Sequence, residues 1–155
     1  PPFLHARAEH EVNKQTLNPL KVLTCGVERT GVQPFFAGGK WRFVERIAWW
    51  DEYNQTIPVV VGHYWRQLNP VDRTNLDKEN TDLFEDISPL HWHGKRHNVF
   101  CADFSVGGRW AARKSGGVLH RDFKHAALCR PERVLQFDDG SSKHTEGFHT
   151  SAGVE

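Results

Sequence analysis

Val59-Val60-Val61-Gly62-His63-Tyr64-Trp65-Arg66 is the stretch on which the fold turns. With Ile57-Pro58 ahead of it, it is a β-branched run apolar on both faces and stopped sharply by Gly62. Such a run reads as a central strand of a covered sheet rather than a half-exposed one. Just upstream, Phe43, Ile47 and Trp50 fall at i, i+4 and i+7, and Val44 and Ala48 widen the same stripe. That spacing predicts an amphipathic helix over 41–53. A helix feeding a buried strand is half of an α/β unit, so the fold class expected is α/β.

Working outward, a short helix is expected around Arg7 to Val12, and a short strand over Lys21 to Cys25 closed by Gly26. Gly31 to Gly39 reads as a loop with Phe35-Phe36 as a buried plug. The polar, acidic stretch from Gln67 to Lys95, broken by Pro70 and Pro89, reads as a long connection, and Val99 to Ala102 as the next strand. Ala126–Cys129 and Val134–Phe137 flank Arg130-Pro131-Glu132-Arg133 as a strand–turn–strand pair. Residues 138–155 lack periodicity and are expected to be a disordered tail, leaving 1–137 as the folded part.

Composition narrows the classes of function. A chain of 155 residues suffices for one modest domain, and six Trp and ten Phe can build a core. A net charge of +1 supplies no bulk field for nucleic acid or a membrane surface. No apolar run is long enough to span a bilayer. The opening residues lack a secretory pattern, and Cys25, Cys101 and Cys129 are odd in number and without CxxC spacing, so a cytoplasmic protein is expected. Cys101 and Cys129 sit in apolar strand patterns and read as small core residues.

The chemistry centres on His63. In open α/β sheets ligands sit outside the carboxyl ends of strands, and neutral imidazole is the commonest side-chain ligand for first-row divalent metals. The bland alternative is a histidine that caps a loop. Asp103, at the end of the next strand, either orients a metal-bound His63 or is a turn residue accepting backbone N–H bonds ahead of Gly107. Arg42 and Arg46, one helical turn apart in the expected helix, are candidates for phosphate contact; otherwise they are surface charge or stack on Trp49 and Tyr53. His91, His93 and His97 form a dense imidazole cluster. On a strand His91 and His93 would share a face and could chelate zinc, but without a paired carboxylate or Cys a solvated loop is the preferred reading. Gly107-Gly108 could form an anion nest, though a single Gly pair is common.

The order of several short blocks resembles the calcineurin-like metallophosphoesterases, in the bacterial branch close to serine/threonine protein phosphatases and diadenosine tetraphosphate hydrolases. The blocks are Leu23-Thr24-Cys25-Gly26-Val27-Glu28, Phe36-Ala37-Gly38-Gly39-Lys40-Trp41-Arg42, Arg46 with Trp49-Trp50, and Gly62-His63-Tyr64-Trp65. Phe100-Cys101-Ala102-Asp103-Phe104-Ser105-Val106-Gly107 and Ala127-Leu128-Cys129-Arg130-Pro131-Glu132 continue the series, which spans Leu23 to Phe137. The resemblance implies a phosphatase: a hydrolase with a two-sheet, helix-flanked sandwich and two divalent ions (manganese, iron, zinc or nickel) acting on a phosphorylated substrate. His63 would be the last metal ligand. Trp65 stands where many members carry a second histidine, as on the protein-phosphatase side of the superfamily.

The family's earlier blocks, Asp-x-His, Gly-Asp-x-x-Asp-Arg-Gly and Gly-Asn-His-Glu/Asp, occur nowhere in the sequence, which also has no Met. The chain is therefore expected to be the carboxyl-terminal half of such an enzyme, an incomplete sandwich inactive without its amino-terminal half. A different class of function is a non-catalytic partner-binding module presenting Trp41, Trp49, Trp50, Trp65 and Trp110 on one face.

Overall fold

The computed structural model describes residues 1–37, 39–64, 66–69, 83–114 and 123–149. The chain forms two compact units, Pro1–Trp49 with Asp72–Glu85, and Trp50–Val71 with Asp86–Glu155. Among the described residues it is a mixed α/β protein with three α-helices and seven short strands in three small sheets. No described helix is long and apolar enough to cross a membrane.

In the first unit, α1 (His5–Thr16) and α2 (Pro19–Cys25) precede the antiparallel hairpin of β1 (Glu28–Ala37) and β2 (Lys40–Arg46). Ala8 of α1 packs on Phe43 and Val44 of β2, with Phe3 and Val12 against them. The buried Gln15 amide donates to the carbonyls of Lys21 (3.1 Å) and Gly26 (2.8 Å), which ties α2 to α1.

Three expectations are corrected here. Lys21–Cys25 is helical, because Asn18 caps the Leu20 and Lys21 N–H groups, Pro19 takes the first turn, and Gly26 at φ 81° ends it. Start and stop signals outweighed the β-branched residues between them. Lys40–Arg46 is a strand rather than the start of a helix, and only a 3-10 turn at Trp49–Asp51 follows. Residues 31–37, expected as a loop, pair with it as β1, whose register shifts between Thr30 and Phe35. The Gly38-Gly39 signal was that of a hairpin, with Ala37 opposite Lys40 and Gly39 at φ 76°.

The second unit is built around a parallel pair, β3 (Val59–Val61) and β4 (Val99–Cys101), in the register Val59 to Val99, Val60 to Phe100 and Val61 to Cys101. Asn98 holds the approach to β3: its buried side-chain amide donates to Gln55 O (2.8 Å) and Ile57 O (3.3 Å), and its main-chain carbonyl accepts from Val59 N–H (2.9 Å). β4 is buried, as read from the sequence. β3 is not a covered central strand: among the described residues only β4 pairs with it, Val60 is 46% exposed and Ile57 68%. Its apolar residues line an edge.

After α3 (Gly108–Lys114), the strands β5 (Ala126–Cys129), β6 (Val134–Phe137) and β7 (Ser142–His144) form an antiparallel sheet in that order. The stretch expected to be a disordered tail thus contributes β7, paired with β6 through Val134–His144, Leu135–Lys143 and Gln136–Ser142; residues 150–155 lie outside the described residues. Cys129 is exposed, not a core residue, since β5 turns it away from the buried face.

Trp92, Phe100, Phe104, Leu135 and Phe137 form the core of this unit. Burial of such side chains is worth about 1.5–3 kcal/mol each. The Trp92 indole N–H is satisfied inside, donating to Thr145 Oγ1 at 2.9 Å. Beside this core Gly94, at φ 80°, passes so close to Trp50 that an added Cβ would lie 2.7 Å from the Trp50 carbonyl oxygen. That oxygen accepts the Lys95 and Tyr53 N–H groups and cannot move aside freely. Gly94→Ala is expected to cost at least about 2 kcal/mol from steric conflict and left-handed strain together, read as a lower urea midpoint at unchanged slope.

Candidate functional site

The parallel pairing of β3 and β4 places both strand exits on one edge. Ala102 N–H donates to Val61 O at 3.0 Å, so the chains diverge only after this last rung. One exit delivers Gly62 and His63, the other Asp103. His63 is exposed at the carboxyl edge of β3, where the sequence placed it. Its backbone is left-handed, at φ 67°, a conformation uncommon outside glycine.

Gly62 does not carry the turn. Its φ is unexceptional, and an added Cβ would meet Asp103 Cβ at an ordinary 3.7 Å. The conformational demand falls on the histidine instead.

Asp103 secures this geometry through the main chain. Its Oδ2 accepts the His63 backbone N–H at 2.8 Å, and its Oδ1 accepts the Ser105 N–H, also at 2.8 Å. These are backbone N–H bonds of the kind weighed from the sequence, and one of them comes from His63 itself. A second link lies three residues on: Arg66 N–H donates to Ser105 Oγ (3.0 Å), and the same hydroxyl donates to Arg66 O (2.7 Å). Ser105 is itself left-handed at φ 55°. The buried Arg66 guanidinium donates to Ser88 O (2.7 Å) and Ile87 O (3.4 Å). Ser105 and Arg66 were not picked out from the sequence, although Asp-x-Ser is a recognisable Asx-turn spacing that could have flagged the first.

The other candidates fall elsewhere. Arg42 and Arg46 lie on β2 in the first unit and not on a helix. Four residues along a strand is about 13 Å, so strand geometry removes the one-turn convergence on which a shared phosphate contact rested. Gly107-Gly108 leads into α3, and the Gly108 and Arg109 N–H groups already donate to Ser105 O and Val106 O, which leaves them unavailable as an anion nest. Cys101 is buried, its thiol pushed up by burial.

The three clustered histidines go to three environments. His91 Nε2 lies 3.1 Å from Glu146 Oε2. The exposed His97 stacks on His149, with ring centroids 4.8 Å apart. His93, 4% exposed, packs edge-on against Trp50 at 5.0 Å. They do not form a shared chelate, and His91 and His93 are not in a solvated loop: each makes a β-bridge, to Glu146 and Val99, with Trp92 between them in the core. Among the described residues no three His, Cys, Asp or Glu side chains converge as a metal site. His63 alone does not meet the donor requirement of a divalent ion.

No protein-family model matches the sequence, and no curated protein and no solved structure matches it significantly.

Two expected outcomes follow from the edge and the buried imidazole. Because left-handed backbone strains any residue with a Cβ, His63→Gly should raise stability by about 0.5–1 kcal/mol in thermal or urea unfolding, whereas His63→Ala should not. His93 is held down at about 4, chiefly by burial and then by the Arg66 charge and, more weakly, by His97. Its ordinary value of 6.5 applies in the unfolded chain. Between these pH values the unfolded chain binds a proton that the folded protein refuses, so stability falls as pH drops from 6.5 towards 4 and levels off below. The loss is on the order of 3 kcal/mol, and His93→Gln should remove that slope from urea midpoints measured across the window.

Proposed function

We propose that this chain supplies the carboxyl-terminal half of a metal-dependent phosphoric ester hydrolase of the calcineurin-like metallophosphoesterase type, as the incomplete part of its two-sheet sandwich. The observation that supports this reading is His63, exposed and left-handed at the carboxyl end of a parallel strand, with its N–H held by the carboxylate that ends the neighbouring strand. A non-glycine residue kept in that conformation points to a role that a glycine could not fill. The order of sequence blocks around it supports the family.

The described residues bring one candidate ligand where a two-metal centre needs several, so the remaining ligands have to come from the absent Asp-x-His, Gly-Asp-x-x-Asp-Arg-Gly and Gly-Asn-His-Glu/Asp blocks. When bound, the divalent ions (manganese, iron, zinc or nickel) supply the Lewis acidity for hydrolysis. This chain would contribute the His63 imidazole at the carboxyl end of β3. Phosphoproteins, nucleotides and small phosphomonoesters share the phosphoryl group that such a centre engages.

A second reading is a non-catalytic partner-binding module with aromatic anchors. Exposed Trp41 and Trp110 favour it. Trp50, 1% exposed, is part of the interior and does not contribute to the expected face; Trp65 lies outside the described residues.

The test is complementation in trans. The chain, mixed with an amino-terminal metallophosphoesterase half bearing the three absent blocks and with manganese, is expected to hydrolyse p-nitrophenyl phosphate, while neither half does so alone. His63→Ala should lower that activity by a factor of about 100 or more, in line with loss of a direct ligand exceeding the 10–100-fold effect of a supporting residue. Full activity in the His63→Ala mixture would remove the histidine assignment.

A further inference from the structure

Two exit loops in the second unit meet through a pair of side chains that follow β4, and both bond main-chain atoms. Asp103 bonds the main chain of His63, and Ser105 bonds the main chain of Arg66. The two clamping residues are themselves joined, because Asp103 Oδ1 accepts the Ser105 N–H. Phe104, between them, is fully buried in the core of this unit. Beyond them Lys124 N–H donates to Phe104 O at 3.2 Å, which pins this loop from its far side. Arg66 is anchored independently by its guanidinium on the Ser88 carbonyl. His63 and Arg66 are thus each bonded to a residue that flanks the buried Phe104.

From this we infer that Asp103 is the positioning residue for the His63 imidazole: its carboxylate clamps the His63 main chain in its left-handed conformation, while the Ser105 hydroxyl separately holds the main chain of Arg66. The physical ground is that His63 at φ 67° is strained by its own Cβ, and strained residues persist only where their surroundings over-determine them. A hydrogen bond from an amide to a carboxylate is roughly twice as strong as a neutral one, so the Asp103 carboxylate is a donor-matched means of opposing that strain. Acting on the backbone rather than the ring, the clamp leaves both imidazole nitrogens outside the bond it makes. The role of the clamp in chemistry rests on the proposed function of His63; its existence does not.

Amide hydrogen exchange, followed residue by residue by NMR on the full chain without added metal, is the test. In Asp103→Ala the His63 amide should exchange about tenfold or more faster, a factor corresponding to loss of a net hydrogen bond. The Ala102 amide, bonded to Val61 O on the last rung of the parallel pair, should keep its protection. Asp103→Asn keeps one acceptor oxygen where the carboxylate uses two, so it should lose protection at either the His63 or the Ser105 amide, with protection kept at both counting against the clamp; it serves as the reading variant should Asp103→Ala not fold. Ser105→Ala should speed exchange at Arg66 and leave His63 protected.

A cycle completes the test. Asp103→Ala should lower the melting temperature clearly less in a His63→Gly background, where no strain remains to be opposed. Unchanged His63 exchange in Asp103→Ala, equal acceleration at Ala102 and His63, or additive melting shifts in the cycle would each overturn the clamp. In the complementation assay, Asp103→Ala should lower turnover about 10–100-fold with KM unchanged. Failure of that assay with wild-type chain bears on the proposed function alone, because the exchange measurements need neither metal nor partner.

Discussion

Parallel pairing of Val59–Val61 with Val99–Cys101 is the constraint from which the second unit takes its form. Parallel strands need a long crossover and offer slightly less stability per residue than antiparallel ones, so a three-residue pair does not stand by itself. It is held from outside. Asn98 bonds the chain entering β3, and Phe100 anchors β4 among Trp92, Phe104, Leu135 and Phe137. In return, parallel pairing does what an antiparallel hairpin would not: it puts two carboxyl ends side by side. His63 and Asp103, forty positions apart in sequence, become hydrogen-bonded neighbours for that reason alone.

The same unit separates polar groups by depth. His63 and Asp103 stand at an edge and His91 meets Glu146 at the surface, while His93 and Arg66 are buried. Burial makes His93 a neutral base packed against Trp50 rather than a ligand beside His91. Between the two, Trp92 is held in the core through Thr145, while His91 bridges to Glu146 and His93 to Val99. A spacing that would suit zinc on a free strand comes to nothing when one imidazole meets Glu146 and the other is buried against Trp50.

Much of the fold was legible in the chain, and the failures have identifiable causes. β4 and the strands flanking Arg130–Arg133 announced themselves by apolar runs with clear breakers. β7 could not be read, because Ser142-Lys143-His144 has no apolar residue and is a strand only by pairing with β6. Trp41–Arg46 carried both an apolar 3.6-residue spacing and strand-forming residues, and the choice fell to the strand because β1 was available to pair with it. Of the candidate site, the position of His63 and the presence of an acid at the end of β4 could be read. The Ser105 and Arg66 contacts could not, since they join residues thirty-nine positions apart through main-chain atoms common to every residue.

What the amino-acid sequence determined by itself is local: which runs are extended, where Asn18, Pro19 and Gly26 start and stop a helix, and that an imidazole and a carboxylate follow two β-branched or aromatic strands. Short-range sterics and burial preference decide those matters within a few residues. Tertiary structure alone decided that the strands run parallel, that His63 rather than Gly62 takes the left-handed backbone, and that His97 stacks on His149 while His93 is buried. Those outcomes depend on which distant groups arrive to satisfy a backbone amide or exclude water, and no local pattern encodes the identity of a partner forty or fifty residues away.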